Sequence, residues 1–175
     1  MKLLEAKFIK LKARLKSLGS VLVAYSGGAD SSLLIKIAKD VLGDKVIAVT
    51  ALSETYPIAE AKNAKTLARK HGVRHAFIKT HELKNPIFRS NPKNRCYICK
   101  KELFLKLAGL TRAFGLDRIV DGSNVDDLSD YRPGSLAKKE FNVASPLQEA
   151  GFTKEDVRRL SKQLGLSSWS KPAQA

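Results

Sequence analysis

Apolar and polar positions along this chain follow two periods, and each change of period marks an element. Leu4, Phe8, Leu11, Leu15 and Leu18 recur at spacings of four and three, one stripe of an amphipathic helix over residues 1–18 that Gly19 closes. The apolar run Val21-Leu22-Val23-Ala24-Tyr25 reads as a first strand, and Ser31 to about Leu42 as a helix ending at Gly43. Lys45 to Thr50 follows as a second strand. Pro57 suits the first turn of a helix reaching His71-Gly72, and Val73 to Lys79 is a third strand. His81 to Arg95 holds Pro86 and Pro92 without a period and reads as a loop or broken helix over the site's edge. Cys96 to Gly115 is a helix with Leu103, Leu107, Leu110 and Phe114 on one face. Asp117 to Asp121 gives a fourth strand, Val143 to Leu147 a short fifth, and Thr153 caps a helix running to Gly165. Strands alternating with helices predict an α/β fold, a doubly wound parallel sheet of about five strands with helices on both faces.

A chain of 175 residues fits one compact domain. No apolar run approaches the roughly 18 residues that span a bilayer, and the N-terminus lacks a signal-type cleavage site, so a cytoplasmic protein without membrane contact is expected. Thirty-two Lys and Arg face 17 Asp and Glu. That excess fits nucleic acid, a multiply anionic small substrate, or a solvated basic surface, and the spread of lysines from Lys2 to Lys171 does not choose among them. A basic domain that begins with a helix is expected to form a homo-oligomer.

Candidate chemistry concentrates in Ser26-Gly27-Gly28-Ala29-Asp30-Ser31-Ser32, between the first strand and the next helix. The glycines let the backbone turn sharply and approach a ligand, so that several N–H groups converge on one anion at a helix N-terminus. The serine hydroxyls add donors. Asp30 would repel a phosphate unless a cation such as Mg²⁺ lay between them, which points to a metal–nucleotide complex. No G-x-x-x-x-G-K-[ST] occurs in the chain, so this is not a Walker A loop. The plainer alternative is a turn in which Asp30 or Ser31 merely caps the helix.

Two further clusters follow. Gly122-Ser123-Asn124-Val125-Asp126-Asp127 leaves the fourth strand at the sheet's carboxyl edge, with Asp126 the preferred ligand for ribose, phosphate or metal, or else a plain Asn/Asp turn. Arg95-Cys96-Tyr97-Ile98-Cys99-Lys100-Lys101 holds both cysteines. One C-x-x-C gives two ligands where zinc or an iron–sulfur cluster wants three or four, so no self-contained cluster is expected from this chain alone. Cationic neighbours would favour thiolate chemistry at Cys96 and Cys99, and Lys100 and Lys101 read as phosphate or carboxylate clamps; two small packing residues are the alternative.

The first cluster resembles the SGGxDS signature of the PP-loop ATP pyrophosphatases. RCYICKKEL, DGSNVDDLSDYRPG, ASPLQEAGFTKEDVRRLSKQLGL and WSKPAQA extend the resemblance over the whole chain to the LarE family, sacrificial sulfur transferases of nickel-pincer-nucleotide cofactor synthesis. The resemblance implies that residues 1–175 form a PP-loop ATP-binding domain whose fourth strand lies beside the first, so that the loops at 26–30 and 122–127 face each other at a topological switch point. It implies ATP and Mg²⁺, and adenylation of a carboxylate on a pyridinium dicarboxylate mononucleotide before sulfur replaces AMP. Ala24, Ser26, Gly27, Gly28, Asp30, Ser31, Ser32, Thr50, Leu52, Gly122 and Asp126 would bind the nucleotide. Asp30 would also hold Mg²⁺, and Asp30, Ser32, Lys100 and Lys101 would serve catalysis.

Departures from the family pattern accompany this. The family's P-G-L-R/K-A appears as Pro133-Gly134-Ser135-Leu136-Ala137, and its arginine before S-P-L is Ala144. The family's sulfur-donating cysteine immediately follows the segment that ends here at Ala175. Residues 166–175 are therefore expected to be a linker into a further domain, and the chain to adenylate without thiolating unless Cys96 and Cys99 carry sulfur. A tRNA-thiolating enzyme of the same superfamily and a non-catalytic nucleotide-binding fragment are the competing functions.

Overall fold

In the computed structural model, residues 2–53, 56–80, 95–128 and 134–171 are described. Helix α1 (Lys2–Ser17) turns its apolar stripe inward, burying Leu4, Leu11 and Leu15. Gly19 ends it at φ +77°, where a Cβ would stand 2.6 Å from Asp117 Oδ2. That carboxylate accepts instead from Ser20 N at 2.9 Å and Ser20 Oγ at 2.7 Å, joining the starts of two strands that are 97 residues apart.

Strands β1 (Val21–Ala24), β2 (Val46–Leu52), β3 (Arg74–Lys79) and β4 (Arg118–Asp121) form one parallel sheet in the order β3-β2-β1-β4. Helices α2 (Ala29–Leu42), α3 (Ile58–Lys70), α4 (Arg95–Ala113), α5 (Gly134–Glu140), α6 (Pro146–Glu149) and α7 (Lys154–Gln163) flank it. On one face Leu33, Leu34 and Ile35 of α2 pack with Ala64 of α3 and Val157 and Leu160 of α7; on the other, Phe104 and Leu107 of α4 meet Ala137 of α5. Truncating a fully buried side chain such as Leu107 to alanine removes about 2–5 kcal/mol. The doubly wound arrangement agrees with the alternation of elements. Reversal of winding direction between β1 and β4 leaves a crevice at their carboxyl ends, where the register sets Ala24 beside Asp121.

Three points differ from the sequence reading. Val143 to Leu147 is no fifth strand, so the described sheet has four: Ala144 makes one isolated parallel bridge to Val120, and Pro146, which has no N–H to extend a ladder, starts α6. Phe114 is 46% exposed and leaves the apolar face of α4. Helix α5 was not expected. Within the expected linker, Leu166 and Ser168 are buried, and Ser167–Ser170 forms a 3-10 turn against α7 and α2. Residues 81–94 of the proposed irregular stretch, and 172–175, lie outside the described residues. No described helix is long and apolar enough to cross a membrane.

Candidate nucleotide-binding site

The chain leaves β1 at Ala24 and must reverse within four residues to enter α2. Gly27 makes this possible at φ +78°, with the site of a Cβ only 3.0 Å from Ala64 Cβ. Gly28 precedes α2 and gives it no side-chain cap, so first-turn N–H groups remain for an incoming anion. The hydroxyls of Ser26 and Ser31 are 3.2 Å apart, and Ser31 Oγ donates to Gly28 O at 3.3 Å. Across the crevice Gly122 comes so close that a Cβ would stand 3.0 Å from Ser31 N. The loops at 26–30 and 122–127 do face each other.

Between them lies a cavity of about 330 Å³ lined by Ala24, Ser26, Gly28, Asp30, Ser31, Gly122 and Lys100 of the predicted residues, together with Leu103, Phe104, Asp121, Ser123, Asp127, Lys154, Arg158 and Lys171. A smaller cavity of about 160 Å³ adjoins it through Ala24, Ser26 and Leu103 and is lined also by Tyr25, Val49, Thr50, Ala51 and Tyr56. Thr50 is fixed there, its hydroxyl donating to Tyr25 O at 2.8 Å and standing 2.8 Å from His75 Nε2. With the hydroxyl proton committed to Tyr25, His75 Nε2 is the donor. Burial and then the charge of Lys65 hold the His75 pKa below its ordinary value.

Several predicted residues do not reach the phosphate-loop cavity. Ser32 is fully buried behind the loop, 3.4 Å from Tyr25 OH. Leu52 lines neither cavity; its carbonyl accepts from Thr80 N at 3.0 Å. Lys101 turns away to Glu140 at 2.9 Å and the Tyr97 hydroxyl at 3.2 Å, because neighbouring helix positions diverge by about 100°. Asp126 accepts from Lys154 N at 2.7 Å and so holds the start of α7, while Asp127 takes the position in the cavity. Cys96 is exposed and Cys99 half-buried in the first turns of α4, and neither lines these cavities. Among the described residues no group of three or more His, Cys, Asp or Glu could hold a metal ion, so the two cysteines gain no further ligands there.

Asp30 is the electrostatic centre of the site. Burial pushes its carboxyl pKa up; Lys154 pulls it down, Asp127 adds to the rise, and Asn124 and Arg158 pull it down again. Its Oδ1 is buried without a hydrogen-bond partner. A carboxylate oxygen in that state is unfavourable unless a cation meets it. Mg²⁺ takes one or two carboxylates and completes its shell with phosphate oxygens and water, a demand that Asp30 and Asp127 fit.

Three cations of the cavity escaped the sequence reading. Lys154 and Arg158 stand at i and i+4 on α7, and basic residues at a helix N-terminus oppose its dipole, which was a legible sign of function. Lys171 donates to Gly27 O at 3.0 Å and reaches within 3.9 Å of Glu60. Lys171 belongs to the WSKPAQA segment of the resemblance, but nothing in the sequence placed it at the phosphate loop.

The asparagine synthase family pattern matches residues 10–88. An uncharacterised Synechocystis protein is 45% identical over 98% of the chain, and the pyridinium-3,5-bisthiocarboxylic acid mononucleotide synthase of Lactiplantibacillus plantarum is 40% identical over 99%. The chain spans 64% and 63% of the length of these two proteins. The solved structure of the Francisella tularensis NMN synthetase superposes with a TM-score of 0.71 at 15% identity, covering 98% of this chain and 75% of that one, a likeness of fold. With its SGGADSS loop at the switch point of a parallel sheet and a 40% identical mononucleotide synthase among the proteins it matches, the chain is similar to the PP-loop ATP pyrophosphatases.

Proposed function

We propose that this chain binds ATP with Mg²⁺ and adenylates a carboxylate of a pyridinium dicarboxylate mononucleotide, releasing pyrophosphate in preparation for sulfur transfer. The observation that carries the reading is the buried, unpartnered Asp30 Oδ1 set among Lys100, Lys154, Arg158 and Lys171 in one cavity. Lone cations would make a general anion site; a carboxylate among them fits a phosphate that arrives with its metal. The 40% identical relative is by name a mononucleotide synthase, which favours a small nucleotide acceptor over tRNA.

In this reading the α2 N-terminus, Ser26 and Ser31 cradle the phosphates, and the small cavity beside Thr50 and Tyr56 takes the base. Asp30 and Asp127 would hold Mg²⁺, which supplies Lewis-acid stabilisation of charge on the phosphate oxygens. Lys100, Lys154 and Arg158 stabilise negative charge as it moves onto the departing pyrophosphate. The acceptor's carboxylate oxygen forms a bond to the α-phosphorus while the bond from that phosphorus to the pyrophosphate oxygen breaks. The carboxyl carbon then carries AMP as a leaving group. Pyrophosphate release measured with ATP, Mg²⁺ and the dicarboxylate mononucleotide tests this: release that requires the acceptor is expected, and a rate the acceptor does not change would refute it.

A further inference from the structure

A second cavity, of about 530 Å³, adjoins the phosphate cavity and shares Lys100, Ser123 and Asp127 with it. Its size falls in the range of small-molecule sites, roughly 300–1,000 Å³. Three lysines, 100, 138 and 139, line it against Asp127 and Glu149. Glu149 is already engaged by the Arg14 guanidinium and by Ser145 N at 2.9 Å. The remaining balance favours an anion.

The wall between the two cavities is rigid. Lys138 Nζ stands 3.1 Å from Asp121 Oδ2 and donates to Ser123 Oγ at 2.8 Å and Ser145 Oγ at 3.1 Å, so all three of its N–H groups are committed. Ser123 Oγ in turn donates to Asp121 Oδ2 at 3.0 Å, and Ser145 Oγ to Asp121 Oδ1 at 2.7 Å. This network pins Ser123 at the shared edge, the arrangement that pre-organises a site. At the same edge the stem of Lys100 runs over Gly134, where a Cβ would stand 2.5 Å from Lys100 Cδ. With Lys138 committed, recognition of a ligand falls to Lys139, Asn142 and Gln148, whose amide is anchored on Asn124 O at 3.1 Å.

We propose that this second cavity is the acceptor site: it binds the pyridinium carboxylate mononucleotide through Lys139, Asn142 and Gln148, and Lys100 directs the reacting carboxylate through the shared edge toward the phosphate cavity. The inference rests on the adenylation reading above. Calorimetric titration of the mononucleotide, and separately of a non-hydrolysable ATP analogue with Mg²⁺, tests it in the wild type, Lys139→Ala and Gly134→Ala. Gly134→Ala displaces Lys100 without changing any charge. Both variants are expected to weaken mononucleotide binding at least tenfold, while Lys139→Ala leaves ATP-analogue affinity within about twofold. Unchanged mononucleotide affinity in both folded variants would overturn the site, even where acceptor-dependent pyrophosphate release upholds the reaction. Conversely, binding that depends on Lys139 in a protein that releases no pyrophosphate supports the site and refutes the reaction.

Discussion

The Asp30 carboxylate is held where its own charge is unfavourable, because burial raises its pKa and Oδ1 has no donor. A raised carboxyl pKa means the folded state holds a proton that the unfolded chain has released, so the penalty is absent below the unfolded value and complete above the folded one. Asp30→Asn therefore raises the Tm of the ligand-free protein at pH 8, and the gain shrinks as pH falls through the folded pKa toward the ordinary 3.8. The same variant loses on the order of 10²-fold or more in pyrophosphate release. Calorimetry and a turnover assay on one preparation check both halves. Asp30 was legible because the SGGxDS spacing is stiff. Asp126 and Asp127 were not separable, since neighbouring side chains in a 3-10 turn diverge by a third of a revolution and nothing in Asn124-Val125-Asp126-Asp127 says which faces the cavity. Lys100 and Lys101 posed the same difficulty on an α-helix.

Helix α7 is the element that carries cations to the site. Thr153 Oγ1 accepts from Asp156 N and the Asp156 carboxylate accepts from Thr153 N, a capping box that was visible as T-K-E-D. Asp126 adds an acceptor for Lys154 N. Removing the cap with Thr153→Ala costs about 1 kcal/mol of stability. Because Lys154 and Arg158 stand on the first turns of α7, ATP-analogue affinity falls as well, several-fold by titration at a temperature where the variant is fully folded. A Thr153→Ser control retains both. The long amphipathic elements α1 and α4 and all four strands were legible in their period. Helix α5 was missed because seven residues, Gly134-Ser135-Leu136-Ala137-Lys138-Lys139-Glu140, are too few to establish one. The false fifth strand had the apolar run of a strand, and only Pro146 argued against it.

At the scale of the molecule, residues distant in sequence meet on one sheet edge: the loop after β1, the loop after β4, α7 and Lys171. Periodicity predicted the alternation of elements, and the resemblance to PP-loop proteins predicted which strands adjoin. Neither located the cations on α7 and Lys171, since their convergence depends on tertiary packing. Two histidines, His71 at the end of α3 and His75 on β3, give the fold a pH response. His71 and His75 both have pKa values below the ordinary 6.5, chiefly through burial, so the unfolded chain binds protons there that the folded one refuses. Stability from these sites is complete above pH 6.5 and declines as pH falls below it. Calorimetry from pH 8 to 5 should show a Tm loss below 6.5 that His75→Gln, which keeps a donor for Thr50, makes shallower.

The most direct test of the central claim follows the oxygen atom that leaves the acceptor. When a pyridinium dicarboxylate mononucleotide with ¹⁸O in its carboxylates is incubated with ATP, Mg²⁺ and the protein and hydroxylamine is then added, attack of that carboxylate on the α-phosphorus, followed by attack of hydroxylamine on the carboxyl carbon with cleavage of the acyl–oxygen bond, places one ¹⁸O in AMP. Mass spectrometry of AMP carrying one ¹⁸O, with none in pyrophosphate, is the predicted result. AMP free of label while pyrophosphate accumulates would mean that water, and not the acceptor, attacks ATP, and would contradict the account.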